Sequence, residues 1–240
     1  MCENPPPPCL ESGEKGADKR ISPGAHRVHI SLAELGLPFE EEIIDLSTPR
    51  TPEYLKVNPR GLVPSIEYNG EILTESAIIS NFLADAHPSH LLPASNAPGG
   101  ALLRAKIAFF VDTFISKANS NFYKAQFAKT DGEVEGFVKE YVDAIVKEVE
   151  PLLVNATPFF NGSDKLTQAE VLTGSFIVRL FTLPNHGILP AHILTDISAK
   201  APNFYKWGQA VSKHPSVTGI YNEEEIVASA KERLAKLRAA

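Results

Sequence analysis

The sequence predicts a small α/β domain followed by an all-helical domain. Over residues 21–92, helix and strand signals alternate: a helical spacing of apolar residues that Gly36 ends, a strand at 39–44, and a short helix at 52–57. A hairpin and a third helix follow. Beyond a linker at 93–100, rich in proline, glycine and small polar residues, the apolar patterns of residues 101–240 are helical. The order of elements in residues 21–92 is that of a thioredoxin-like unit.

A hairpin with an unusual entry is the most informative stretch of the chain. Two short apolar runs flank Asn69 and Gly70, the dipeptide that most strongly favours a two-residue hairpin turn. Val63 and Pro64 precede the first strand. Because proline cannot donate to a sheet ladder, Pro64 marks a special backbone position, often one with a cis peptide bond. We therefore predict a backbone edge at Val63.

Glu75 and Ser76 follow the second strand at once and open a helix with apolar residues at helical spacing. Ser76 therefore lies where the first amides of a helix are unpaired and a carboxylate is favourable. The edge at Val63 and the helix start at Ser76 together predict a site for a small peptide-like ligand that carries a carboxylate.

The later helices have signals of their own. Residues 101–128 are apolar-rich, and residues 137–152 carry an apolar stripe at helical spacing. Thr167, with Glu170 three residues later, forms a capping box, which predicts that a helix begins there.

Composition argues against several classes of function. The net charge of −6 is spread along the chain, which disfavours nucleic acid as a partner. No apolar run approaches the roughly 18 residues that a membrane helix needs, and no signal peptide is predicted. Two histidine pairs, His26 with His29 and His87 with His90, have a spacing that metal ligands can use. No third ligand is arranged around either pair, so no metal site is predicted. We expect a cytoplasmic protein with a flexible leader at residues 1–20, where Pro5 to Pro8 favour an extended chain.

Residues 58–83 resemble the glutathione-binding half of the cytosolic glutathione S-transferases. The family pattern is Asn-Pro-x-Gly-x-Val/Ile-Pro-x-Leu/Ile, then a hairpin, then Glu-Ser-x-Ala-Ile, and this chain carries each part at the same spacing. The competing interpretation is a generic hairpin followed by a capped helix. The resemblance implies glutathione as co-substrate or cofactor, a homodimer, and a helical domain that lines a site for a hydrophobic small molecule.

The resemblance also implies the contacts of glutathione. Its cysteinyl backbone would pair with Val63 next to Pro64, as a strand adds to an edge. Its γ-glutamyl carboxylate would meet the amide and hydroxyl of Ser76, and its ammonium group would meet Glu75. Arg50 aligns with a basic residue that binds the glycine carboxylate in several classes. The alternative for Arg50 is a solvated loop charge.

Residues 22–28, Ser-Pro-Gly-Ala-His-Arg-Val, resemble the catalytic loop of tau-type transferases, in which the serine hydroxyl donates to the glutathione sulfur. They also resemble the omega-type loop, with Ser22 in place of cysteine, and more loosely the loop of zeta-type isomerases. Ser22 is therefore the predicted catalytic residue. Two alternatives remain: Ser22 only caps the helix, or the backbone amides of residues 24–26 activate the thiol. The apolar strand that precedes this loop in the family is poorly supported, unless Cys9 and Leu10 supply it.

Three interpretations of function follow. The first is thiolate addition to a hydrophobic electrophile, such as a secondary metabolite of the kind that fungal transferases modify. The second is glutathione-dependent cis/trans isomerisation of a conjugated olefin, and the third is a non-catalytic interaction module of the same fold. Substrate contacts are predicted at Phe110, Phe114 and Tyr123, although a phenylalanine run is more often part of a core.

Overall fold

The structure, a computed structural model, describes residues 22–46 and 48–239, and the backbone alone of residues 9–11. An α/β region comes first in the chain, and the predicted alternation of helix and strand is confirmed. Its elements are strands β1 Cys9–Glu11, β2 Glu40–Glu41, β3 Ser65–Tyr68 and β4 Glu71–Thr74, and helices α1 Pro23–Leu35, α2 Pro52–Val57 and α3 Ser76–Ala86.

The four strands form one mixed sheet in the order β2-β1-β3-β4. Strand β1 runs parallel to β2 and antiparallel to β3, and β3 is antiparallel to β4. The predicted hairpin joins β3 and β4, and both of its turn residues have positive φ, 55° at Asn69 and 82° at Gly70. This is the backbone that the most favourable two-residue hairpin turn requires.

Two predictions on strands need amendment. Strand β1 lies inside the predicted flexible leader and uses Cys9 and Leu10, the alternative source of the first strand. The rest of residues 1–20 lies outside the described residues. The strand predicted at 39–44 narrows to Glu40–Glu41, because those two residues pair only with Cys9 and Leu10 of the short β1.

A small core joins the helices to the sheet. Val28 and Leu32 of α1, Ile66 of β3, and Ile79 and Leu83 of α3 are all buried and in contact. Helix α1 therefore packs beside α3 on the sheet, and the N-termini of both helices come close to the entry of the hairpin.

The rest of the chain is helical. Its helices are α4 Gly100–Thr113, α5 Ser120–Gln126, α6 Asp131–Ala144, α7 Gln168–Thr182, α8 His192–Lys200, α9 Pro202–Ser212, α10 Pro215–Thr218 and α11 Glu223–Ala239. A π-helical segment, Phe114–Asn119, joins α4 to α5 without a break. Helix α7 is buried from Gln168 to Leu180 and contacts α1, α3, α4 and α9, so it is the centre of the larger core.

The predicted capping box at the start of α7 is confirmed. The fully buried carboxylate of Glu170 accepts hydrogen bonds from the Thr167 amide and hydroxyl, the Phe160 amide and Trp207 Nε1, at 2.7–2.8 Å. Burial raises the pKa of Glu170, and these four donors act in the opposite direction. Glu170 thereby ties the preceding loop and α9 to the start of α7.

The two regions meet through a helix-free stretch between Ala86 and Gly100, which contains most of the predicted linker. Arg104 donates to the Pro93 carbonyl at 3.1 Å, and the Gln168 amide donates to the Leu91 carbonyl at 2.8 Å.

Within the described part of the chain, none of the helices has the length and apolar character needed to cross a bilayer.

Candidate active site

Three predicted site residues converge on Gly24, in the first turn of α1. A Cβ atom added to Gly24 would lie 3.4 Å from Ser76 Oγ, 3.5 Å from Pro64 Cδ and 3.5 Å from Ser22 Oγ. Larger side chains would therefore fill this space, which glycine leaves open. The structure thus brings together the predicted thiol donor, the proline at the strand entry and the helix start.

The loop that enters the hairpin is held from behind by side chains. The peptide bond between Val63 and Pro64 is cis. Tyr54 Oη and Asn58 Nδ2 donate to the Leu62 carbonyl, at 2.5 and 2.8 Å. The half-buried Val63 has no backbone hydrogen bond to any described residue, so its amide and carbonyl fit the predicted edge.

The start of α3 has the features of an anion site. Glu75 has φ 69° and ψ 109°, a conformation that non-glycine residues rarely adopt and that often marks a functional position. No side chain caps α3, so the first amides of the helix have no intrahelical acceptor. The Glu75 carboxylate, itself exposed, pairs with Arg60 at 2.5 Å.

Arg27 adds a positive charge next to Ser76, and the sequence had assigned it no role. Its Nη1 donates to Ser76 Oγ at 3.4 Å, its Nε donates to the Leu172 carbonyl at 2.8 Å, and its guanidinium lies 4.7 Å from the Phe176 ring centre. Burial lowers the pKa of Arg27 to about 10, so it remains charged at neutral pH. Within the described residues no carboxylate pairs with it.

Ser22 is the N-cap of α1. Its Oγ accepts from the Ala25 amide at 3.4 Å, and its backbone carbonyl accepts from the His26 amide at 3.1 Å. A hydroxyl group accepts through its lone pairs and donates through its hydrogen. Capping the helix and donating to a thiolate therefore use different parts of the same group and are compatible.

Arg50 binds its own loop. Its Nε donates to the Gly61 carbonyl at 2.9 Å, and its Nη1 donates to the carbonyls of Asp45 and Thr48 at 2.7 and 2.6 Å. These bonds fasten residues 45–50 to the turn before Val63, so Arg50 is not the solvated loop charge of the alternative interpretation. Its contact with a glycine carboxylate remains a prediction.

Of the three predicted substrate residues, only Tyr123 lines an open pocket. Phe110 and Phe114 have no exposed surface, and they pack in the core against other aromatic rings such as Trp207 and Phe204. Their proposed role as substrate contacts is corrected to packing, because a ligand would have to open the core to reach them. Tyr123 is 36% exposed and packs edge-on against Phe176 at 5.9 Å.

The Tyr123 pocket begins at Pro23, the residue after Ser22, and lies between α5, α7 and α11. Its aromatic walls are Phe122, Tyr123, Phe127 and Phe176, and it also contains Arg179 and Arg233. Sequence reasoning did not find the arginines, because no local pattern relates residues on helices so far apart in the chain.

The first part of the chain matches a known family model. Residues 21–86 match the model of the glutathione S-transferase N-terminal domain. A glutathione S-transferase of Xanthomonas campestris is 39% identical over 79 residues, which are 33% of this chain and 37% of that protein. Maleylacetoacetate isomerase of Rhizobium meliloti is 40% identical over 76 residues, 30% of this chain and 36% of that protein. The chain thus matches little more than a third of the length of these two relatives.

Two further similarities extend over nearly the whole chain. Glutathione S-transferase omega-1 of Sus scrofa is 25% identical over 221 residues, 91% of this chain and 85% of that protein. The crystal structure of glutathione transferase Omega 2C from Trametes versicolor superposes on this one with a TM-score of 0.77 and a sequence identity of 26%. The match covers 95% of this chain and 99% of the Trametes chain. With the thioredoxin-like sheet and the helical region behind it, these similarities show that the chain is a member of the cytosolic glutathione S-transferase superfamily.

Proposed function

We propose that the chain is a glutathione S-transferase that holds the glutathione thiol at Ser22 and adds it to a hydrophobic electrophile. The observation that carries this proposal is the convergence of Ser22, Pro64 and Ser76 on the open space at Gly24. A thiol donor, a backbone edge and an anion site are the three things that a tripeptide thiol with a free carboxylate requires. A secondary metabolite as the electrophile remains a prediction from the sequence.

Each end of glutathione has a matching group in this arrangement. The γ-glutamyl carboxylate would bind the Ser76 amide and hydroxyl, with the charge of Arg27 behind them. The ammonium group would pair with Glu75, which already binds one cation, Arg60. The cysteinyl backbone would pair with Val63, and this would direct the sulfur toward the first turn of α1.

The chemistry places modest demands on the protein. A thiol of pKa about 8.5 is about 3% thiolate at pH 7. Lowering that pKa to about 6.5 would raise the thiolate fraction roughly 25-fold, whereas the weaker nucleophile would lose about tenfold of reactivity. The net gain from acidification is only a few-fold. Most of the acceleration therefore has to come from holding the thiolate next to the electrophile.

Titration calorimetry of two variants tests the proposed site. We expect Glu75→Ala and Ser76→Ala each to weaken glutathione binding more than about tenfold, the loss of one charge-assisted hydrogen bond. Glu71→Ala is the matched control, because Glu71 is an exposed carboxylate on the same hairpin. Unchanged glutathione affinity in both site variants, with the fold intact, would refute the site.

Glutathione-dependent isomerisation is the second candidate, and the similarity to a maleylacetoacetate isomerase favours it. Thiolate addition would turn a conjugated double bond into a single bond, rotation would follow, and elimination would release the other isomer with glutathione regenerated. Mass spectrometry of the products distinguishes the two, because conjugation yields a glutathione adduct and isomerisation leaves the substrate mass unchanged.

The third candidate is a non-catalytic module. Binding of glutathione without turnover would favour it, whereas the intact Val63-Pro64 and Glu75-Ser76 elements argue against it.

We further propose that two copies of the chain form the functional unit. Both regions expose large apolar side chains: Leu62 and Ile78 in the α/β region, at 56% and 58%, and Leu102 and Phe109 on α4, at 63% and 60%. Such surfaces would cover one another in a two-fold dimer in which the first region of one protomer meets α4 of its partner.

Light scattering tests the dimer at micromolar concentration. The wild type should have twice the chain mass of 26.1 kDa, and Phe109→Glu should have the mass of a single chain. Val154→Glu is the control, because Val154 is equally exposed, at 65%, but lies outside α3 and α4. A wild type of 26.1 kDa at these concentrations would refute the dimer.

A further inference from the structure

His26 is a buried histidine in the first turn of α1, next to the proposed thiol donor. It is 1% exposed, and it lies one helical turn after Ser22, the N-cap of the helix. Its backbone amide donates to the Ser22 carbonyl at 3.1 Å. A displacement of His26 would therefore move Ser22 with it.

Both ring nitrogens of His26 are bonded to the helical region. Nε2 lies 2.7 Å from the Val217 carbonyl of α10, and Nδ1 lies 3.3 Å from Nη1 of Arg179 on α7. A carbonyl only accepts and a guanidinium only donates, so Nε2 carries the proton and Nδ1 accepts. Burial, and next the charge of Arg179, lower the pKa of His26 to about 3, so the ring is neutral at pH 7 and keeps this one tautomer.

The two partners of the imidazole are themselves held by their neighbours. Arg179 Nη1 also donates to the Ser175 carbonyl of its own helix, at 2.6 Å. Val217 is fully buried, and a Cβ atom added to Gly174 of α7 would lie 3.2 Å from Val217 Cγ2, so α10 packs tightly against α7. His26 therefore fixes the first turn of α1 relative to two packed helices of the second region.

Ser22 depends on this anchor because its own cap is weak. The bond from the Ala25 amide to Ser22 Oγ is 3.4 Å long, so the hydroxyl group is placed by the backbone of the first turn more than by its cap. The adjoining Pro23 lines the Tyr123 pocket, whose other walls lie mainly on α5, α7 and α11. The position of α1 relative to the helical region therefore sets the distance between the glutathione sulfur and a second substrate.

Building on the proposed function, we propose that His26 is a positioning residue, which holds the Ser22 hydroxyl at the glutathione sulfur by fastening the first turn of α1 to α10. Because the imidazole is buried, it acts through Ser22 and not on a substrate. Its Nε2 donor is the essential group, because this donor bonds a backbone atom, whereas Nδ1 bonds a side chain with rotatable bonds. Loss of the Nε2 bond should cost at most the effect of removing the hydroxyl itself, roughly 10- to 150-fold in rate.

Two amide variants that differ by one methylene group test the role of Nε2. In His26→Gln the side-chain amide can reach the Val217 carbonyl, whereas in His26→Asn the shorter side chain reaches only the position of Nδ1. The measurement is the pKa of glutathione bound to each protein, followed by the ultraviolet absorbance of its thiolate. We expect His26→Asn to raise this pKa toward about 8.5, the value in solution, and to lower kcat at pH 7 about tenfold, with KM for glutathione little changed. His26→Gln should stay close to the wild type.

Ser216→Ala is the control for a loss of stability alone. Ser216 Oγ donates to Glu34 at the far end of α1, about 18 Å along the helix from Ser22, so this variant also loses a hydrogen bond between α1 and α10. It should lower the melting temperature and leave the pKa of bound glutathione unchanged. His26→Met, which fills more of the space and also lacks the donor, replaces His26→Asn if that variant does not fold.

A double-mutant cycle shows whether His26 acts through Ser22. In the Ser22→Ala background, His26→Asn should cause no further rise in the pKa of bound glutathione, because the hydroxyl group that it displaces is already absent. An equal rise in both backgrounds, an equal rise in His26→Gln and His26→Asn, or no rise at all would overturn the inference and leave the proposed function intact. If Ser22→Ala itself leaves this pKa unchanged, the proposed role of Ser22 fails, and the inference fails with it.

Discussion

Replacement of Ser22 by alanine separates catalysis from helix capping. The cap bond from the Ala25 amide to Ser22 Oγ is 3.4 Å long, well beyond the usual distance of about 2.9 Å. Its loss should therefore lie at the low end for N-caps, about 0.5 kcal/mol of stability. A hydrogen bond from the same hydroxyl to a thiolate contributes about 1.5–3 kcal/mol, or roughly 10- to 150-fold in rate. The catalytic effect should thus be clearly larger than the structural one.

The pH dependence of the rate is the diagnostic measurement. If Ser22 stabilises the thiolate, the alanine variant raises the pKa of bound glutathione toward about 8.5, its value in solution. Turnover at pH 7 should then be slow, and the deficit should shrink as the pH rises above that value, because solvent then supplies the thiolate. Glutathione affinity should hardly change, because Ser76 and Glu75 hold the other end of the ligand.

Thr130→Ala is the matched control, because Thr130 caps α6 by accepting from the Glu133 amide at 3.2 Å, away from the site. It should lower the melting temperature at least as much as Ser22→Ala and leave the pH–rate profile unchanged. If Ser22→Ala slows turnover by the same factor at every pH, Ser22 only caps the helix. Of the amides of residues 24–26, Ala25 and His26 already donate to Ser22, so Gly24 would become the leading thiolate donor.

Three further predictions concern Arg27, Glu170 and His26. Arg27→Met should raise KM for glutathione about tenfold with kcat little changed, whereas Arg104→Met, which removes a surface pair with Asp85, should change neither. Glu170→Gln should lower the urea-measured free energy of unfolding by about 2–4 kcal/mol without changing glutathione affinity, because its amide NH₂ would face buried donors; a loss below about 1 kcal/mol would contradict this. Burial, and next the charge of Arg179, lower the pKa of His26 to about 3. Between about pH 6.5 and pH 3 only the unfolded chain therefore binds this proton, so the free energy of unfolding should decrease as the pH is lowered. The slope should approach about 1.4 kcal/mol per pH unit. His26→Gln should be correspondingly less sensitive between pH 7 and pH 5, and equal slopes for both proteins would rule out this titration.

The sequence predicted the glutathione side of the molecule well because its signals are local. A capping box joins residues three apart, a hairpin turn depends on two residues, and a proline determines the backbone around itself. Thr167 with Glu170, Asn69 with Gly70, and Pro64 therefore appear in the structure as predicted. Strand β1 was harder to predict, because three residues become a strand only through their partners in β2 and β3.

The acceptor side depends on packing over long separations, and there local reasoning failed. Phe110, Phe114 and Tyr123 lie in one continuous helical stretch and look alike in sequence, yet only the tyrosine reaches an open pocket. Which face of that stretch is covered is decided by α7 and α9, which begin more than 40 residues after it ends. The two arginines of the pocket likewise come from α7 and α11 and meet only after folding. A transferase of this fold can therefore keep every local element that recognises glutathione while the residues that face its second substrate change, and those residues cannot be found from local sequence patterns.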